Sequence, residues 1–285
     1  MKIKHIPPDT NKFTQIITTI AVVPKRLYYL GTLPSERLPT VAIVGTRRPT
    51  KYGTEVTTAL ATDLARRGVI IVSGMALGVD GLAHRAALGV GGTTVAVLGN
   101  GLDSIYPRSH AQLAKEIVQK GGAIISEYEP DVPARGFQFL ERNRIVSSLS
   151  DAILITEASA RSGTLNTARH ALEQGKEVFV VPGNITSPLS AGCNALLKQG
   201  AHPVTSPDDI LEVIAPHLLE DNTRLALGDN MLQANIIELL QSGIRDGDEI
   251  QRKTGASADE FAAELTMMEL SGHIRALGAN QWTLR

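Results

Sequence analysis

Two short segments of this sequence concentrate arginine in settings suited to binding anions. GTRRPTKYG (45–53) carries Arg47, Arg48 and Lys51 between an apolar run and a helical pattern. Guanidinium groups beside the free N–H groups of a helix start form a ready phosphate site. GFQFLERNRIVSSLSDA (136–152) places Arg142 and Arg144 around Asn143, just ahead of an expected helical stretch. Two more segments bring small residues to helix starts: Ser162, Gly163 and Thr164 in EASARSGTLNTARHALEQG, and Gly192 and Asn194 in PGNITSPLSAGCNALLKQGA. Small side chains let a phosphate come close to backbone amides.

Other chemistries find less support. SGMALGVDGLAH (73–84) has Gly74, Gly78 and Gly81 after Ser73, but the spacing departs from G-x-G-x-x-G. Leu98 leads into Gly99 and Asn100 instead of the acidic residue that a dinucleotide site requires, so no such cofactor is expected. Asp80 is placed to cap the following helix, and His84, one turn later, reads as its structural contact. Glu157 and Glu173 would serve as an acid and base pair only beside an activated nucleophile, and none is recognisable. No His or Cys cluster has metal spacing, and the lone Cys193 reads as a small packed residue. The expectation is therefore a non-enzymatic protein with no catalytic residue and no metal. Phe137 and Phe139 offer a ring on which a base would stack, weighed against the commoner role of core aromatics.

The 285 residues carry a net charge of -1, so an anion site must be a local concentration of cations and not a property of the whole chain. Hydrophobic residues make up 43% and charged residues 20%, with no apolar run approaching the ~18 residues of a membrane span. Residues 16–23 are apolar but broken by threonine, so no secretion signal is read. One cysteine makes no intramolecular disulfide, and a cytoplasmic location without membrane contact is expected.

The elements that would position these residues follow from periodicity. Short, mostly continuous apolar runs at 41–44, 69–73, 93–98, 123–126, 152–156, 177–181 and, more weakly, 202–204 read as strands. Helical patterns separate them, among them Val56, Leu60, Leu64 and Leu165, Ala168, Leu172. This alternation predicts an α/β fold, a Rossmann-like, mostly parallel sheet with helices on both faces, whose ligand crevice lies at the strands' carboxyl ends. A short extension at 1–40 would precede a domain at 41–219, and a polar linker at 220–230 would follow it. Residues 231–285 predict three helices and a terminal ribbon, a small winged-helix domain, with Ser257 and Glu260 as a capping box. The third helix carries Asp259, Glu260, Glu264 and Glu269 without Lys or Arg, which suits a protein partner better than duplex DNA.

Taken in order, VAIVGTRRPTKYG, VSGMALGVD, AVLGNGLDSIYP, RNRIVSSLS, SGTLNTA and VFVVPGN, with LYYLG ahead of them, resemble the DNA processing protein A (DprA, Smf) family over residues 27–211. The resemblance implies a homodimer that binds single-stranded DNA, protects incoming strands in natural transformation and loads a RecA-type recombinase. It assigns Arg47, Gly74, Arg142, Arg144, Gly163 and Asn194 to the DNA pocket. Arg48, Ser73, Asn143 and Ser162 in the same segments complete the expected set. FLERNR differs from the family's FPxRNR by Leu140 in place of proline and by Glu141 beside the arginines. Residues 1–40 are also too few for the extra helical domain many members carry. The alternative is a nucleotide-splitting Rossmann enzyme of the phosphoribohydrolase type, but its PGGxGTxxE motif has only PGNITSP and RSGTLNTA as counterparts.

Overall fold

The computed structural model describes residues 2–219, 230–271 and 273–284. The chain forms two compact units, Met1–Leu218 and Leu219–Arg285.

The first unit is built on one nine-stranded sheet. In chain order its strands are β1 (Lys4–Ile6), β2 (Leu27–Gly31), β3 (Thr40–Val44), β4 (Ile70–Ser73), β5 (Thr94–Val97), β6 (Ala123–Ser126), β7 (Ala152–Ile155), β8 (Glu177–Val180) and β9 (His202–Pro203). Their spatial order is β1-β2-β6-β5-β4-β3-β7-β8-β9. The pairs from β6 through β9 are parallel, whereas β1 with β2 and β2 with β6 are antiparallel. Every residue of β3 to β7 is buried, as strands covered on both faces require.

Seven α-helices accompany the sheet: α1 (Lys51–Arg66), α2 (Val79–Gly89), α3 (Ala111–Gln119), α4 (Gly136–Ser148), α5 (Thr164–Glu173), α6 (Ala191–Lys198) and α7 (Asp208–Ile214). On one face Ala42, Val44, Val72 and Ile155 pack with Ile145 and Val146 of α4 and Ala168 and Ala171 of α5. On the other, Ala96, Leu98 and Ile124 pack with Leu88 of α2 and Leu113 and Ile117 of α3.

Residues 1–40 are built into this body. β1 and β2 extend the sheet past β6, and Phe13, Ile17 and Leu27 are fully buried in the core. A second difference concerns α4: Arg142, Asn143 and Arg144 lie inside this helix, not ahead of it.

The second unit contains α8 (Met231–Gln241), α9 (Gly247–Thr254), α10 (Ala258–Leu270) and the antiparallel pair β10 (Ile274–Gly278) and β11 (Gln281–Leu284). Ser257 and Glu260 form the capping box of α10, and Phe261, Leu265 and Met268 bury its inner stripe against Ile236, Ile237 and Ile250. Apart from Asn230, the expected linker at 220–230 lies outside the described residues.

Candidate functional site

The chain leaves β3 toward β4, β5 and β6, then returns to the other side of β3 as β7. That reversal opens a crevice at the carboxyl ends of β3 and β7, where open α/β sheets bind ligands. A cavity of about 440 Å³ occupies it, lined among others by Arg47, Gly74, Asp80, Arg142, Asn143, Arg161, Ser162 and Gly163.

The loop after β3 is held from below. Glu157, only 2% exposed, accepts from the Thr50 amide (2.9 Å) and hydroxyl (2.6 Å). Thr50 in turn caps α1 by accepting from Gly53 N at 3.0 Å, a cap worth about 1 kcal/mol. Glu157 thus fixes the arginine loop, which accounts for its burial without a catalytic role. Gly78 at the start of α2 has φ +76°, and a Cβ there would stand 2.4 Å from Thr46 O. Only glycine lets the two loops close against each other this tightly.

Arg142 forms the floor. It is 5% exposed, and its Nη1 donates to the carbonyls of Gly74 and Val97. Asp80 accepts from the amides of Gly74 and Ala76, both at 3.1 Å. Burial pushes the Asp80 carboxyl up, against the opposing pull of Arg142 and these amides. Burial lowers Arg142 to about 10, with Asp80 opposing, so the guanidinium remains charged at neutral pH. His84 does not take Asp80 as partner. Its Nδ1 lies 2.6 Å from Thr94 Oγ1, whose own proton goes to Ile71 O, leaving Nδ1 to donate.

Arg47 and Arg48 are exposed, and Arg161 on the opposite rim is exposed as well; among the described residues none of the three forms an ion pair. Ser162 Oγ accepts from Thr164 N at 3.1 Å, tightening the turn that opens α5. Asn143 joins this wall through an amide contact with Asn166 at 3.2 Å. Phe139 stacks at 5.3 Å on Tyr106 and lines the crevice, whereas Phe137 is exposed and does not line it.

The fold therefore brings together Arg47, Gly74, Arg142, Asn143, Ser162 and Gly163, with Arg48 on the adjoining loop. Three of the expected residues are engaged elsewhere. Arg144 makes a two-pronged ion pair with Glu127 at 2.6 and 2.7 Å, on a different side of α4 from Arg142. Ser73 donates to Ile43 O at 2.7 Å and ties β4 to β3. Asn194 exchanges hydrogen bonds with the Gly183 backbone at 3.0 and 3.3 Å. Sequence reasoning missed Arg161, although a cation immediately before the SGT turn was the available signal. Among the described residues no cluster would hold a metal ion, and no helix is long and apolar enough to cross a membrane.

Residues 4–215 match the family model of DNA recombination-mediator protein A, and residues 221–280 match that of the DprA winged helix domain. Protein Smf of Escherichia coli is 40% identical over 288 residues, covering 98% of this chain and 77% of that protein. The X-ray structure of DNA processing protein A from Streptococcus pneumoniae superposes with a TM-score of 0.70 at 37% identity, covering 75% of each chain. DNA processing protein A from Helicobacter pylori, whose structure is presented for its single-stranded DNA binding mode, gives 0.67 at 35% identity, covering 76% of this chain and 97% of that one. With a family model matching residues 4–215 and a relative 40% identical over 98% of its length, the chain belongs to the DNA recombination-mediator protein A family.

Proposed function

We propose that the chain binds single-stranded DNA in the crevice at the ends of β3 and β7 and does no chemistry on it. The observation that carries this reading is the meeting of Arg47 and Arg161, exposed and without an ion pair among the described residues, over the buried cation of Arg142, in a chain whose net charge is only -1. Backbone phosphates would sit between the two rim arginines, and Phe139 is placed for a base to stack on. The single-strand binding described for the Helicobacter pylori relative supports the reading.

The finer role follows the family. The chain would protect incoming strands in natural transformation, hand them to a RecA-type recombinase, and act as a cytoplasmic homodimer. The phosphoribohydrolase alternative gains nothing from the site, because the carboxylate that lines the crevice, Asp80, is buried and accepts from the amides of Gly74 and Ala76.

Fluorescence anisotropy of a labelled dT oligomer, in competition with duplex and across a salt series, tests the binding. Preference for the single strand, with log affinity falling linearly against log salt, is the expected result. Absence of binding at low salt overturns the proposal.

A further inference from the structure

Helix α10 of the second unit is apolar on two sides. Phe261, Leu265 and Met268 hold one side against the core of that unit. At about 100° per residue, Ala263, Met267 and Leu270 fall within ~60° of one another on the side turned away from that core. Met267 is 59% and Leu270 79% exposed, and Ala263 is exposed as well. A single exposed apolar side chain needs no explanation, but a row at i, i+4 and i+7 is the spacing by which one helix seats another.

The charges beside this row select its occupant. Asp259 and Glu269 border it on one side and Glu260 on the other, and all three are exposed. The helix contains no Lys or Arg. Lys253 pairs with Glu249 within α9 at 3.5 Å, and among the described residues no ion pair reaches an acid of α10. The fourth acid, Glu264, is turned to α8, where it accepts from the side-chain amides of Asn230 and Gln233 at 2.8 and 2.7 Å. A second copy of the same face would set acid against acid, and a nucleic acid would set phosphate against acid. The complement is a helix with apolar residues at the same spacing and Lys or Arg beside them, whose cations reach the acids as e and g residues do in a coiled coil.

We propose that the outward face of α10 docks a basic amphipathic helix of a protein partner. Met267 and Leu270 are its apolar anchors, and Asp259, Glu260 and Glu269 its charged rim. Ala263 leaves room for a large partner side chain, while the unbranched thioether of Met267 adapts to the shape presented to it. The proposal does not depend on the single-strand reading of the crevice.

The probe is a labelled peptide of about 20 residues, long enough to hold a helix, with Leu at helical spacing and Lys elsewhere. It is titrated into the full chain and followed by anisotropy. A peptide of the same composition in scrambled order keeps the charge, loses the apolar row, and is expected to bind about tenfold more weakly. Met267→Ser combined with Leu270→Ser should weaken the ordered peptide about tenfold, as the loss of a buried leucine does. The melting temperature should not change, because both side chains are exposed. Asp259→Asn combined with Glu269→Gln should flatten the salt dependence of the ordered peptide. Equal binding of the two peptides overturns the proposal, since charge alone then suffices. So does binding that the serine pair leaves in place, and so does failure of both peptides to bind at low salt. Light scattering tests the remaining occupant: an oligomer that the serine pair dissociates gives the face to a second copy and overturns the proposal.

Discussion

Arg142 lies flat against Gly74: a Cβ on that glycine would stand 2.5 Å from Nη2 and 2.6 Å from Cζ of the guanidinium. The glycine of the SGMA segment therefore makes room for a buried cation, and its use is steric. Gly74→Ala should force the guanidinium off the Gly74 and Val97 carbonyls, costing about 1–3 kcal/mol as an overpacked core does. A urea titration measures the loss, and an unchanged midpoint would show that Arg142 has room to move.

Salt dependence separates the arginines that touch DNA from those that hold the fold. Arg47→Ala and Arg161→Ala should each lower the slope of log affinity against log salt by about 0.7, the value for one phosphate contact on a single strand. The same series on Arg144→Ala is expected to leave the slope where it was, because that guanidinium already faces Glu127. Slopes that respond to all three equally would contradict this division.

The Arg144–Glu127 pair instead carries stability. Its side chains are 12% and 15% exposed, so removal of one partner strands a largely desolvated charge. Glu127→Ala should cost about 3 kcal/mol in a chemical denaturation experiment. A loss below ~1 kcal/mol would place the pair among exposed, weakly coupled ones.

Stability should also depend on pH through His84, which burial pushes down from 6.5 to about 3. Below about pH 6.5 the unfolded chain binds a proton that the folded chain refuses. Stability present above that value is therefore lost as pH falls toward 3, by up to ~1.4 kcal/mol per pH unit. His170 is lowered as well, again by burial. The informative measurement is thus a comparison with His84→Asn, whose amide can still donate to Thr94. Between about pH 6 and 5 the variant should show a shallower decline. Parallel curves would remove His84 as the cause.

Helix α10 predicts the behaviour of the second unit. Among its residues are four acids and no base, so it should add nothing to affinity for duplex DNA. Replacing Asp259 and Glu269 with lysine should raise duplex binding several-fold at low salt, because both are exposed. An anisotropy titration with a short duplex reads this directly, and the absence of any gain would sink the electrostatic explanation.

Much of this protein is determined locally, and local features are what a sequence displays. Runs such as AILI (152–155) and VAV (95–97) are apolar at every position because both faces of their strands are covered, so the central sheet could be read without a structure. The Ser257–Glu260 box likewise depends on residues three apart. Tertiary structure decided what distance along the chain conceals. Leu27–Gly31 becomes a strand because β6, nearly a hundred residues later, supplies its antiparallel partner. Glu157 supports Thr50 across 107 residues, a relation no local pattern carries. Arg142 and Arg144 look equivalent in RNR, but two residues on a helix are separated by about 200°, so the fold turned one into the crevice and the other onto Glu127. Residue type announced that cations would gather at the sheet's edge. Helical phase and packing chose which of them face the cavity.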